Sequence, residues 1–149
     1  MKSRGRAFII IKCKKTLLNI LVDMLVFRIT PGKDLKNEIG SIQKKNNLEA
    51  GIIIGAVGSL QKAALRLADE EIIDIEGPLE IICANGTVSP EGIHLHLAVA
   101  DKTGKMTGGH LKEGSLVNTT VELSILEYEG TFKRIMDPET GFKELVILN

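Results

Sequence analysis

The sequence predicts an α+β fold, in which one main helix accompanies a mostly antiparallel sheet of about seven strands. A single segment, residues 35–46, places its apolar residues at the 3.6-residue period of a helix. From residue 50 onward, short apolar or alternating segments are separated by turn residues, which is typical of strands. No internal repeat or low-complexity tract indicates another architecture. One helix among seven or more strands defines the α+β class.

The first elements follow from apolar runs and their flanking residues. A strand is predicted over residues 25–29, which a Thr-Pro-Gly turn ends. Asp34 can then cap a helix over about 35–46, and an Asn-Asn pair stops it. Residues 50–57 form a predicted buried strand, whose glycines indicate bends or close backbone contacts.

The remaining elements are predicted as strands joined by turns. We expect turns at Asp69-Glu70, at Gly77-Pro78 and at Asn85-Gly86, because Asn-Gly is the strongest short hairpin signal. A further turn is expected at Asp137-Pro138 in a mixed tail. The predicted strands cover residues 61–66, 71–76, 79–84, 93–100, 106–111, 115–128 and about 145–147.

Composition limits the possible functions. With 44% hydrophobic residues, 149 residues can bury a core without disulfides. Two cysteines seventy positions apart, Cys13 and Cys83, exclude a disulfide framework and suit the reducing cytoplasm, where we place the protein. We interpret Cys83 as an inert buried thiol. No apolar run reaches the eighteen residues of a membrane span, and 3% aromatic residues leave few platforms for stacking on bases.

Charge divides the chain at Met24. Residues 1–23 contain six basic residues and one acidic residue, which leaves 13 basic and 18 acidic residues in 24–149, a net charge of about −5. We therefore divide the chain into a basic N-terminal extension, 1–23, and a domain, 24–149. Three interpretations of the extension stay open. Translation starts at Met24 and the upstream start is mis-assigned, the segment is a real but accessory extension, or it is a basic arm that binds nucleic acid or membrane. Its triplet Arg4-Gly5-Arg6 is similar to the core of a minor-groove AT-hook, with Ala7 where a proline normally follows.

All three histidines lie within seventeen residues. His94 and His96 are two apart on a predicted strand and therefore share a face. Lys102-Thr103-Gly104 fits a three-residue hairpin loop, which places His96 directly opposite His110 and brings three imidazoles together. A bulge at Gly108-Gly109 would shift the register by one residue and move His110 to the other face.

The histidine cluster predicts a metal site. Three neutral imidazoles are a typical ligand set for Zn²⁺ or another divalent transition metal, with a fourth position open to a water that the ion could activate for hydrolysis. The alternative is a set of hydrogen-bonded structural or interface histidines. The other face of the strand is an apolar row suited to the core, whereas Ala98 and Ala100 leave space beside the histidines for a ligand or a second subunit.

Other candidate site residues carry weaker signals. Glu80 could be a fourth ligand or a general base, and its ordinary alternative is a solvated strand residue. Lys112 and Glu113 lie two and three residues after His110 and could reach the same mouth of the site. The sequence shows no Ser-His-Asp or Cys-His arrangement and no phosphate-binding glycine loop, so no catalytic or cofactor-binding residue is assigned.

The histidine region also carries a family resemblance. The segment 92–101, followed by Gly104 and by Gly108-Gly109-His110-Leu111, resembles the PPC domain (plants and prokaryotes conserved, also called DUF296 or PD1-like). The likeness extends through residues 55–60, 77–81 and 134–142, and covers roughly 24–149. It implies an α+β domain that assembles as a homotrimer. It also implies a three-histidine metal site at His94, His96 and His110, and DNA binding, since plant members carry the domain beside AT-hooks.

Three functions are consistent with these observations. We favour a trimeric metal-binding module in assembly or regulation, with DNA as a partner, because the sequence shows metal ligands but no convincing acid or base beside them. A small zinc-dependent hydrolase or lyase is the enzymatic alternative, which we favour less. A metal-free oligomerisation or ligand-binding domain is the third.

Overall fold

The computed structural model describes residues 23–149, which form one helix and eight strands in two sheets. The α+β class with a mostly antiparallel sheet is confirmed. The elements in chain order are β1 Asp23–Ile29, α1 Leu35–Asn46, β2 Gly51–Arg66, β3 Ile72–Ser89, β4 Gly92–Ala100, β5 Met106–Leu111, β6 Leu116–Glu127, β7 Thr131–Met136 and β8 Lys143–Leu148.

The main sheet is antiparallel, and its strands lie in the order β1-β6-β2-β3-β4-β5. Strand β5 also pairs with the end of β2, where Leu65 lies opposite Leu111 and Arg66 opposite His110. This second pairing curls the sheet, so that β2, β3, β4 and β5 follow one another in a closed ring. Strands β7 and β8 form a separate hairpin.

Helix α1 begins and ends where the sequence predicts. The Asp34 carboxylate accepts a hydrogen bond from the backbone N–H of Asn37 at 2.9 Å, and its second oxygen accepts one from Gly114 at 2.6 Å. The cap therefore fixes the helix start and ties it to the loop before β6. Asn47 ends the helix in the left-handed conformation, with φ 51°.

The core lies between α1 and one face of the curled sheet. The helix contributes Leu35 and Ile39, both fully buried, and the sheet contributes alternate residues of each strand. The predicted apolar row of β4 is part of it: Leu95, Leu97 and Val99 are 1–2% exposed. Since side chains alternate along a strand, the residues between them lie on the opposite face of the sheet.

Two predicted turns are wrong, because Gly77-Pro78 and Asn85-Gly86 lie inside the single long strand β3. At Asn85-Gly86 the strand continues antiparallel to β4, and a Cβ on Gly86 would collide with the backbone carbonyl of His94. At Gly77 a Cβ would lie 2.6 Å from two carbonyl oxygens of β2. These glycines therefore permit close strand approach and do not reverse the chain.

The predicted strands 50–57 and 61–66 are likewise one strand, β2, whose pairing with β6 shifts register at three places. The turn at Asp69-Glu70 is confirmed, and Glu70 adopts a left-handed φ of 69°. The interpretation of Cys83 as a buried thiol is wrong. Its side chain is exposed on β3, and Sγ donates a hydrogen bond to the Asn85 side-chain oxygen at 2.8 Å.

The tail folds back over the main sheet. Its hairpin turns at Asp137, as predicted, with hydrogen bonds from the Asp137 backbone N–H to Phe142 and from Gly141 to Asp137. The backbone N–H of Arg134 donates to the Glu91 carboxylate, next to β4. This contact places the β7–β8 hairpin beside the strand that carries the histidines.

The N-terminal boundary at Met24 stays a prediction, since residues 1–22 lie outside the described part of the chain together with Cys13 and the Arg4-Gly5-Arg6 triplet. Strand β1 starts at Asp23. Among residues 23–149, no helix is long and apolar enough to cross a membrane.

Candidate metal centre

The hairpin of β4 and β5 has the predicted register. His96 lies directly opposite His110, and the pairing continues without a bulge through Gly108 and Gly109. The Asp101 backbone N–H donates to the Lys105 carbonyl at 3.0 Å, and Gly104 closes the loop with a φ of +82°. The three-residue turn therefore holds His110 on the same face as His94 and His96.

The three imidazoles converge. The ring centroids of His94 and His110 are 5.0 Å apart, those of His94 and His96 are 5.2 Å apart, and those of His96 and His110 are 5.9 Å apart. One nitrogen from each ring can be chosen so that all three lie within 4.8 Å of one another. Among the described residues, no Asp, Glu or Cys joins this group.

Burial lowers the pKa of two of these histidines. For His110 burial is the largest cause and the neighbouring charge of His94 the next, which brings the pKa to about 4. Burial, followed by the charge of Arg134, also lowers the pKa of His94. Both rings are therefore neutral at neutral pH, which is the state in which an imidazole nitrogen binds a metal.

One nitrogen of the group is both buried and without a hydrogen-bond partner among the described residues. Nδ1 of His110 is buried and neither donates to nor accepts from another described residue. A buried polar atom without a partner costs about 1–3 kcal/mol, so such atoms are uncommon unless a ligand or ion satisfies them. The three-nitrogen donor set and this unsatisfied atom both fit a transition metal.

A cavity of about 850 Å³ opens over the histidines. Its wall comes from β2, β3, β4 and β5 on one side and from the β7–β8 hairpin on the other. Charged side chains of both signs line it: Arg66, Glu70, Glu91, Arg134, Lys143 and Glu144.

Strand register explains the order of the polar residues beneath the cavity. Asn85 lies opposite His96, His96 opposite His110, and His110 opposite Arg66. Directly opposed residues share a face, so these four form one row across β3, β4, β5 and β2. In the next row Thr87 lies opposite His94, and its hydroxyl accepts a hydrogen bond from Nη2 of Arg134 at 2.7 Å.

The sequence alone predicts neither arginine of this site. Arg66 lies next to His110 because β2 pairs with β5, and this pairing joins segments more than forty residues apart. Arg134 reaches Thr87 because the tail hairpin folds over β3 and β4. No local pattern in the sequence reports either contact.

The weaker candidates do not line the cavity. Glu80 lies opposite Ala100, four residues along β4 from His96, and is exposed. Glu113 is exposed in the loop after β5. Lys112 lies two residues after His110, and its charge lowers the pKa of that histidine less than burial or the charges of its neighbours do. The structure thus brings together the three histidines but not these three residues.

The chain thus forms an α+β domain, in which one helix covers a curled antiparallel sheet and three histidines on the other face of the sheet line a cavity. The model of the Plants and Prokaryotes Conserved (PCC) domain family matches residues 22–129. The chain therefore belongs to this family, which the sequence resemblance gave under the name PPC.

A curated relative shares the domain within a longer protein. A bifunctional protein GlmU from Synechococcus sp. (strain JA-3-3Ab) is 47% identical to this chain over 124 residues, which are 80% of this chain and 20% of that protein. The chain thus spans about a fifth of the length of the curated relatives it matches.

Solved structures share the whole fold. A hypothetical protein from Salmonella is 39% identical, with a TM-score of 0.82 over 85% of this chain and 93% of that one. A metal-containing protein from Archaeoglobus fulgidus is 25% identical, with a TM-score of 0.71 over 95% and 99%. A protein from Bacteroides thetaiotaomicron described as a candidate DNA-binding protein is 20% identical, with a TM-score of 0.74 over 91% and 96%.

Proposed function

We propose that this chain is a trimeric metal-binding PPC-domain protein, in which His94, His96 and His110 hold one Zn²⁺ or another divalent transition metal. The observation that carries the proposal is the set of three imidazole nitrogens within 4.8 Å of one another. The unpartnered Nδ1 of His110 supports it, because coordination of the ring would offset the cost of burying a polar atom there. The metal-containing relative from Archaeoglobus fulgidus agrees with it.

The protein's own residues make the site suitable for a metal. The β4–β5 pairing fixes the positions of all three rings, and burial keeps His94 and His110 neutral. When bound, a divalent ion supplies Lewis-acid chemistry at the cavity. A Cβ on Gly109 would lie 2.8 Å from the backbone oxygen of Arg66, so this glycine permits the close approach of β5 to β2 next to His110.

A homotrimer is the assembly that the family resemblance implies, and an exposed apolar surface supports it. Ile54, Val57 and Ile82, from β2 and β3, are 43%, 69% and 54% exposed and line one depression of about 360 Å³. Exposed apolar side chains grouped in this way indicate an interaction surface. Cys83 and Asn85 line both this depression and the histidine cavity, so the proposed interface borders the metal site.

The trimer has its own test. Val57→Glu places a charge at the most exposed of these three apolar residues, and we expect the mass measured by light scattering to fall from three 16.2 kDa chains to one. Ile72→Glu is the control, because Ile72 is about as exposed (57%) as Ile82 (54%) but lies outside that depression. This substitution should leave the mass unchanged. A wild-type protein that is monomeric at micromolar concentration would end this part of the proposal.

DNA is the partner proposed for the basic extension, not for the domain. Residues 24–149 carry about five net negative charges, which oppose contact with phosphates, whereas residues 1–23 carry about five positive ones. In a gel-shift titration at low salt we expect the full chain to bind duplex DNA and the chain without residues 1–23 not to bind. Equal gel shifts for the full chain and the shortened chain would refute this assignment.

A cytoplasmic location stays a prediction, which rests on the cysteine content.

A metal-dependent hydrolase or lyase is the second candidate function, and the cavity favours it. A space of about 850 Å³ beside the histidines is large enough for a small substrate, and Glu91 and Glu144 lie in its wall. The module without turnover remains our first proposal, because among the described residues no carboxylate joins the histidine group.

Elemental analysis of protein purified without a His-tag tests the metal site. We expect about one zinc ion per chain after supplementation, and a loss of most of it in His94→Ala, His96→Ala and His110→Ala. Met106→Ala, an exposed residue of β5 on the histidine face, is the matched control and should retain the metal. A wild-type content near zero, or equal contents in all variants, would contradict the proposal.

A further inference from the structure

Two arginine side chains border the histidine group, and the proposed metal site does not use them. Arg66 lies directly opposite His110 at the end of β2, so their side chains emerge from the same face of the sheet. Arg134 reaches in from β7 and donates to Thr87, which lies opposite His94. A guanidinium group thus lies on each side of the three imidazoles.

The guanidinium of Arg66 has no partner in the described part of the chain. Among residues 23–149 it makes no side-chain hydrogen bond, and the ion pairs there are Lys33–Glu38 and Lys62–Asp74. Arg66 is half-buried in the cavity wall, so its five N–H donors are held at the site, and no side chain or backbone group of residues 23–149 satisfies them. Such a planar fork is suited to bind an anion with two parallel hydrogen bonds.

The charges of the cavity also favour an anion once a metal is present. Three basic side chains and three acidic side chains line the cavity, and they cancel formally. An imidazole binds a metal as a neutral ligand, so a divalent ion held by the three histidines would leave an excess of two positive charges. The charged lining consists of Arg66, Arg134 and Lys143 against Glu70, Glu91 and Glu144.

We propose that this cavity binds a small organic carboxylate, whose anionic group is held by Arg66 beside the metal. The inference rests on the proposed metal site. The apolar part of the carboxylate would contact Leu67 and Phe142, which line the same cavity. A carboxylate fits better than a phosphate monoester, because the guanidinium of Arg66 can pair with both carboxylate oxygens but would leave one terminal oxygen of a phosphate monoester unpaired.

Calorimetric titration of the zinc-loaded protein tests the inference. The ligands are acetate, lactate, malate and benzoate, with the uncharged amide of the tightest binder and with methyl phosphate as comparisons. The variants are Arg66→Gln, which removes the charge, and Arg66→Lys, which keeps the charge but loses the fork. Arg28→Gln is the matched control, because Arg28 contacts Thr120 on the distant β1–β6 edge of the sheet. Zinc content is measured on every sample before and after titration.

We expect at least one carboxylate to bind the wild-type protein and Arg28→Gln equally, and its amide not to bind. Arg66→Gln should weaken binding about 30-fold with unchanged zinc content, and Arg66→Lys should weaken it less. If Arg66→Gln does not fold, the loss of carboxylate affinity measured in Arg66→Lys decides whether Arg66 binds the ligand.

The contrary results are distinct from failure of the metal site. Normal zinc content with no binding of any of the four carboxylates overturns the inference, and so does affinity that Arg66 variants do not change. Methyl phosphate binding more tightly than every carboxylate assigns the cavity to another ligand class and also overturns it. A wild-type protein without zinc refutes the proposed function, and the carboxylate site with it.

Discussion

The two faces of strand β4 differ in what surrounds them. Leu95, Leu97 and Val99 pack into the core and are 1–2% exposed, whereas His94 is half-buried and His96 exposed on the other face. The apolar face belongs to the core that includes residues of α1, whereas the histidine face lines the cavity. One strand can therefore contribute to stability with the side chains of one face and to a binding site with those of the other, since alternate side chains face different environments. Substitutions on the two faces should therefore have different consequences.

The largest expected effect lies on the apolar face. Leu97→Ala should lower the free energy of unfolding by about 2–5 kcal/mol, because it removes a buried side chain and leaves a cavity. Urea unfolding followed by circular dichroism measures it. Met106→Ala, at a residue 62% exposed, should change stability by less than about 0.5 kcal/mol. Equal effects of the two substitutions would contradict the assignment of the core.

A substitution between the strands comes next. Gly86→Ala should cost about 1–3 kcal/mol and also reduce zinc content, because its methyl group collides with the His94 backbone on β4. Gly55→Ala is the control, since a Cβ at Gly55 meets no atom within 4 Å. If Gly86→Ala and Gly55→Ala unfold at the same urea concentration, the close approach of β3 and β4 is wrong.

The helix that covers the core supplies a smaller effect. Asp34→Ala should destabilise the protein by about 1–2 kcal/mol, because it removes the cap of α1 and the contact to Gly114. Asp34→Asn retains a capping oxygen and should lose less, while zinc content stays unchanged in both. A larger loss in Asp34→Asn than in Asp34→Ala would exclude capping as the cause.

The smallest effect on stability is expected on the histidine face. His110→Leu removes a buried nitrogen that has no partner, so the metal-free protein should keep its melting temperature or gain slightly. The same variant should lose the rise in melting temperature that zinc gives the wild-type protein. Thermal unfolding with and without zinc measures both values. Strong destabilisation of the metal-free variant would show that His110 is a structural residue.

Local patterns predicted the hairpin and its histidines. A three-residue loop ending in Gly104 determines the register, and register determines which side chains share a face. The helix was predicted for a similar reason, because the Asp34 cap and the apolar period are both local.

Long-range pairing accounts for what the sequence did not show. Gly77-Pro78 and Asn85-Gly86 have turn composition, yet each glycine makes room for a neighbouring strand. The exposure of Cys83 depends on how β3 lies in the whole sheet. The position of Arg66 beside His110 depends on the pairing of β2 with β5. These features become visible only when distant segments meet.

Anomalous diffraction at the zinc absorption edge, from crystals grown with zinc and without a His-tag, tests the central claim most directly. We expect one strong peak per chain, surrounded by nitrogens of His94, His96 and His110, and no such peak in crystals of His110→Leu. A peak at other residues only, or none among the three imidazoles at saturating zinc, would contradict the metal centre.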